Sequence, residues 1–161
     1  MSVAALEGQL RFVRKKTMEL LDKIAAEADP AAILGYRPGP GRAHIAWQFM
    51  HLGATDDRHL EFRMHGRDPV APQLVQRFAG GSTPDDQIPT VDEIRAYLTE
   101  RRDAMLAHLR TLTEADLARK PNEQAPWIYE EWFQLLAWHE AHHQGQAHLT
   151  LNLFKAAHPT A

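Results

Sequence analysis

EWFQLLAWHEAHHQGQAHLTLNLF, residues 131–154, is the stretch on which the fold is read. It holds four of the chain's ten histidines, His139, His142, His143 and His148. No Pro breaks it, its only Gly is Gly145, and apolar side chains recur at Trp132, Leu135, Leu136, Leu149, Leu153 and Phe154. That spacing belongs to a helix and not to an alternating strand. At about 100° per residue, His139 and His143 lie one turn apart on one face, where both imidazoles can reach one ion. Neutral imidazole is the commonest protein ligand for zinc and also suits nickel, copper and iron. Two ligands alone are better read as a solvated His-rich helix, so a third from elsewhere has to decide.

Composition narrows the classes. A chain of 161 residues with 44% apolar content matches one soluble domain, residues 1–161, with a real core. Its 18 basic and 21 acidic residues leave a net charge of −3, which favours neither nucleic acid nor an anionic membrane as partner. There is no Cys, so any metal must sit on nitrogen and oxygen ligands and no thiol nucleophile exists. The opening MSVAALEGQLRFVRKK is interrupted by Glu7, Gln9 and Arg11 and lacks the apolar run of a signal peptide. No later segment reads as a membrane span, and a cytoplasmic protein is expected.

Along the chain, Leu6, Leu10, Val13, Met18, Leu21 and Ile24 predict a first helix over 3–28 capped by Ser2 and ended by Asp29-Pro30. The Gly- and Pro-rich residues 31–41 predict a loop. A second helix is expected over 42–65, with His44, Trp47, His51, Thr55, Arg58 and Phe62 on one stripe beside Ile45, Phe49 and Leu52. Residues 66–89 carry Pro69, Pro72, Gly80, Gly81, Pro84 and Pro89, with a short helix possible over 73–78. Fully extended, this link spans roughly 80 Å, enough to cross the whole length of a helix. Thr90-Val91-Asp92-Glu93 is a capping box that opens a third helix to about Leu112. Thr113 caps a short turn, and Pro126 suits the first turn of the last helix. No strand is predicted, so the fold class is all-α, a four-helix bundle with a long crossover link between its second and third helices.

Bundle metal sites take ligands from facing helices, and His51, mid-helix beside apolar surface, is the natural third partner of His139 and His143. His44, two turns earlier, competes with it, though it lies near the loop where capping comes more easily. Three histidines leave a coordination position open, as a catalytic metal requires. His142 is turned about 60° from His139 toward the flank, which suits a supporting or surface place. For His59, His65, His108, His148 and His158 the plain reading as surface or core histidines is preferred. Gln146, Trp47 and Trp132 share the ligand stripes and are expected to line the pocket or join the core.

His51 within WQFMHLGATDDRHL, together with WHEAHHQGQAHL near the C-terminus, resembles the DinB/YfiT-like superfamily of metal-dependent enzymes, which is unrelated to the DNA polymerase that shares the name. The likeness also covers the long link and the LTEADL stretch before the last helix. It implies an up-down-down-up bundle in which His51, His139 and His143 hold a divalent metal, zinc or nickel, and it implies a homodimer. It further implies a small-molecule substrate and chemistry on low-molecular-weight thiols, with the thiol as co-substrate of a transferase, or on water in a hydrolase.

Two other readings compete. His139-Glu140-Ala141-His142-His143 satisfies HExxH, in which Glu140 would be the general base of a zinc peptidase. The elongated form of that motif needs Gly at 146 and His at 149, where this chain has Gln146 and Leu149, and no Asp or Glu follows Glu140. The other is a non-enzymatic helical bundle, a stress-response or interaction protein with a structural or vestigial metal site.

Overall fold

A computed structural model describes residues 1–159 and forms seven α-helices, with no strand among the described residues. The four long ones follow the apolar stripes. Helix α1 (Val3–Ala25) is capped by Ser2, whose hydroxyl accepts from Ala5 N. Helix α2 (Pro30–Gly35) falls where the sequence predicts a loop. The Asp29 carboxylate accepts from Ala32 N at 3.0 Å, and Pro30 occupies the first turn, where its missing N–H costs nothing. Helix α3 (Ile45–Asp57) starts later than the stripe suggests, because His44 caps it, and it continues as a π-helical stretch, Arg58–Met64. That wider turn breaks the 3-and-4 spacing, so Phe62, predicted to share the stripe of His51, lies exposed.

Helix α4 (Pro72–Arg77) sits within the long link. Helix α5 (Val91–Leu109) carries the expected capping box, with Thr90 and Glu93 bonded reciprocally. Helix α6 (Glu114–Leu117) is capped by Thr113. Helix α7 (Tyr129–Ala157) begins beyond Pro126, where the Glu131 side chain accepts from Ile128 N at 3.0 Å. Among the described residues no helix is long and apolar enough to cross a membrane.

Side-chain pairs define the topology. Met1–Glu130, Arg14–Glu140 and Glu27–Lys155 advance together, so α1 and α7 run parallel. Glu7–Arg110 and Asp22–Arg95 run in opposite senses along α1 and α5. Gln48–His143 and His59–Trp132 make α3 antiparallel to α7, whereas Asp56–Arg102 and His65–His108 make it parallel to α5. The order is up, down, down, up. Two parallel neighbours joined in sequence need a return path, and residues 65–90 supply it.

The core is two apolar clusters separated by a charged layer. One cluster gathers Leu21, Phe49, Leu98 and Leu151, and the other Leu10, Leu60, Met105 and Phe133. Between them lie Arg14, Asp56, Arg102 and Glu140, one from each long helix and each no more than 7% exposed. Arg102 donates to Asp56 Oδ2 at 2.9 Å and to Glu140 Oε2 at 2.6 Å, and Arg14 to Glu140 Oε1 at 2.7 Å and Asp56 Oδ2 at 3.0 Å. The remaining guanidinium N–H groups reach the carbonyls of Leu10 and Leu98. Burial alone would raise the Asp56 carboxyl, but Arg102 and Arg14 outweigh it and hold the group below the usual carboxylate range.

Two substitutions test this packing. Asp56→Ala leaves two guanidinium groups short of a partner in a dry layer and should lower stability by about 3–5 kcal/mol in urea unfolding at neutral pH. At Gly53 an added Cβ would meet Tyr97 Cδ1 at 2.5 Å, so Gly53→Ala should wedge α3 from α5 and cost about 1–3 kcal/mol in the same measurement.

Candidate metal centre

The structure brings His51 of α3 together with His139 and His143 of α7. Each offers one ring nitrogen, and the three nitrogens lie within 4.8 Å of one another. His51 Nε2 and His139 Nε2 are 3.1 Å apart. Two nitrogens bound to one tetrahedral ion at zinc distances would stand about 3.3 Å apart, so the pair is already near ligand spacing. The donor set is three imidazoles with no carboxylate, which fits zinc, nickel, copper or iron rather than magnesium or calcium.

Supporting contacts set the rings. His51 Nδ1–H donates to the Phe78 carbonyl at 2.6 Å, and His143 Nδ1–H donates to Gln48 Oε1, leaving both Nε2 lone pairs free. The indole of Trp47 stacks on His51 at 4.7 Å and 8°. Trp47 Nε1–H in turn reaches Ser82 Oγ at 3.2 Å. Phe78 and Ser82 both belong to the crossover link, so this segment orients the site as well as returning the chain.

Burial keeps the three rings uncharged. His139 is lowered to about 4 by burial first and then by its neighbour His51; His143 is lowered to about 3 by burial, then by His139 and His51. His51 is lowered by burial against the opposing pull of the Phe78 carbonyl. Neutral imidazole is the form that binds metal, and here it is present at neutral pH without competition from protons.

His44 is not in this cluster. It is 1% exposed, its Nδ1 accepts from Trp47 N at 3.0 Å, and its Nε2–H reaches the Asp85 carbonyl. His142 is exposed, stacks on Trp138 and accepts from Gln146 Nε2 at 2.7 Å, which takes Gln146 away from the cluster. Trp132 is 2% exposed and belongs to the core. Glu140 of the HExxH string is 1% exposed and held by Arg14 and Arg102, facing away from His139 and His143. A residue clamped between two guanidinium groups is no general base for a water at the histidines.

A cavity of about 280 Å³ opens beside His51 and His139. Phe78, Val75, Leu135 and Leu136 make its apolar wall, and Thr55, Arg58 and His59 its polar one. The sequence reading sets His59 among the plain histidines, yet the ring lines this cavity and meets Trp132 edge to face at 4.7 Å. Its angular position relative to His51 is altered by the π-helical turn, which periodicity does not foresee. The ion-paired layer beneath the site has no counterpart in the sequence expectations, although charged residues inside apolar stripes, Arg14 between Leu10 and Thr17 and Arg102 between Leu98 and Met105, are its signal.

A family model for the DinB superfamily matches residues 9–147. No curated protein matches the chain. Among solved structures, the chain is similar to that of the conserved protein of locus from Enterococcus faecalis, with 16% identity over 95% of this chain and 97% of that one, at a TM-score of 0.69. At that identity the likeness is one of fold.

The lowered histidines make stability depend on pH. An unfolded histidine takes up a proton near 6.5, whereas His139 and His143 resist it until about 4 and 3, so the unfolded state gains protons first on acidification. Stability is therefore full above about 6.5 and falls as pH drops toward 4, by about 2 kcal/mol at pH 5 for one such ring. Melting curves of metal-free protein at pH 7 and 5 should show the loss, and His139→Gln combined with His143→Gln should reduce it by the share of those two rings, leaving that of the other lowered histidines, His59 and His108 among them.

Proposed function

The chain belongs to the DinB superfamily, and from that premise we propose that it is a metal-dependent enzyme whose divalent ion is held by His51, His139 and His143. The observation that carries the reading is the convergence of three neutral imidazoles, two of them already oriented by the Phe78 carbonyl and Gln48, at the edge of a cavity. With three protein ligands one or more positions stay open, which separates a catalytic centre from a closed structural one. Of the ions that suit three imidazoles, zinc or nickel is the one this reading takes.

When bound, such an ion supplies Lewis acidity and lowers the pKa of a thiol or water brought to it. The protein's own part is positional. Leu135, Leu136 and Phe78 give the cavity beside the cluster an apolar wall, and Trp47 and the Phe78 carbonyl fix the ring of His51. Among the described residues no carboxylate joins the histidine cluster, and Glu140 is committed to Arg14 and Arg102. That favours a substrate that ionises readily on its own, as a low-molecular-weight thiol does, over one that needs a strong base. We therefore read the chain as a transferase acting with such a thiol, or, with water in that place, a hydrolase. A cytoplasmic homodimer acting on a small molecule completes the reading. Exposed Phe12, Trp138, Leu149 and Leu153 offer apolar surface for self-association.

Elemental mass spectrometry on protein purified without a nickel column tests the centre. Wild type should carry close to one zinc or nickel per chain, and His51→Ala should lose most of it while remaining helical. Metal-free wild type after incubation with both ions would leave a bundle without this activity.

A further inference from the structure

Arg58 and His59 also line the cavity, and the metal reading gives neither a task. They open the π-helical stretch, and π turns recur at functional sites because they displace side chains from the helical register. The guanidinium of Arg58 is exposed and pairs with no acidic group among the described residues. A cation left unpaired at the rim of an apolar cavity is a site for an anion.

His59 is set up to assist. Its Nδ1 is buried without a partner, and so is Nε1 of Trp132, the ring it meets edge to face. No acceptor reaches His59 Nδ1, so a proton there would be a buried donor with no partner. The ring proton then sits on Nε2, the nitrogen that is not buried, as a second donor beside Arg58.

We propose that this cavity binds a short carboxylate-bearing substrate, with the carboxylate on Arg58 and His59 Nε2–H and the hydrocarbon part along Val75, Phe78 and Leu135 toward the three histidines. Its volume, about 280 Å³, lies at the small end of ligand pockets, so the occupant is a small metabolite. One cation and one neutral donor match a single negative charge. A phosphate dianion would call for a second cation that this wall lacks. The proposal rests on the reading of the histidines as a catalytic metal centre only for the place of the reacting end; the carboxylate subsite itself needs no ion.

The test follows nitrogen-15 NMR shifts of metal-free and zinc-loaded protein titrated with butyrate, butyramide and inorganic phosphate. Butyrate should bind the metal-free protein, about tenfold or more tighter than either comparison ligand. Arg58→Gln should weaken it by about tenfold or more and His59→Gln by several-fold, while Arg58→Lys keeps part of the affinity. Melting temperature and zinc content of Arg58→Gln should stay at the wild-type values, since the side chain is exposed. Butyrate binding that survives Arg58→Gln, that appears only with zinc, or that is absent at tens of millimolar overturns the proposal, as does tighter binding of phosphate. Butyrate binding by a wild type that takes up no zinc would uphold the subsite and remove the metal reading alone.

Discussion

The four-membered ion pair of Arg14, Asp56, Arg102 and Glu140 is the constraint on which the rest of the bundle depends. Each long helix contributes one member, the charges sum to zero, and every member is buried. Apolar side chains tolerate sliding by a turn with modest loss, whereas a carboxylate slid away from two guanidinium groups is stranded in a dry core. The layer therefore sets the axial register and rotation of all four helices at once. Rotation matters most on α7, because Glu140 pointing into the layer turns its neighbour His139 about 100° round, toward α3. Whether such a layer adds net stability over an apolar one is secondary, since buried ion pairs and apolar replacements are often near parity. Its contribution is a unique alignment.

The crossover adds a second constraint. Parallel α3 and α5 force the chain back along the bundle, and the returning segment is fastened by Asp57, which accepts from Val70 N and Ala71 N, and by Arg37 and Arg77 on the Asp85–Asp86 turn. Thus fastened, it delivers the Phe78 carbonyl to His51, Ser82 to Trp47 and the Asp85 carbonyl to His44. The topology and the orientation of the cluster are in this sense one feature. A bundle with up-down-up-down connections would have no such strap over this face.

Much of this was legible from residue spacing. Helices as periodic as α1 and α7 declare themselves, and the capping residues Ser2, Thr90 and Thr113 act where their chemistry says they should. His139 and His143 share a face by arithmetic, and His51 follows from asking which facing helix can supply a partner. Helix α2 escaped notice because Gly and Pro density signals a loop, while Asp29 followed by Pro30 is also a well-formed helix start. The π-helical turn is invisible to a 3.6-residue template, and with it went Phe62, wrongly set beside His51, and His59, set aside as plain. Pairing across the core is likewise absent from any single stripe. That Arg14 meets Glu140 depends on how helices far apart in sequence are stacked.

The commitment of Glu140 bears on how proteins are sorted by short signatures. HExxH is a one-dimensional projection of a three-dimensional requirement, namely two ligands and a free base that all serve one reaction centre. The string at 139–143 meets the projection and violates the requirement, because its glutamate serves as an interior counter-ion. A filter that asks only for letters gives Glu140 a role that its pairing with Arg14 and Arg102 does not fit. One that also asks whether the residues supplied by other helices at that level are cationic, as Arg14 and Arg102 are, separates a glutamate that stabilises the interior from one that takes protons.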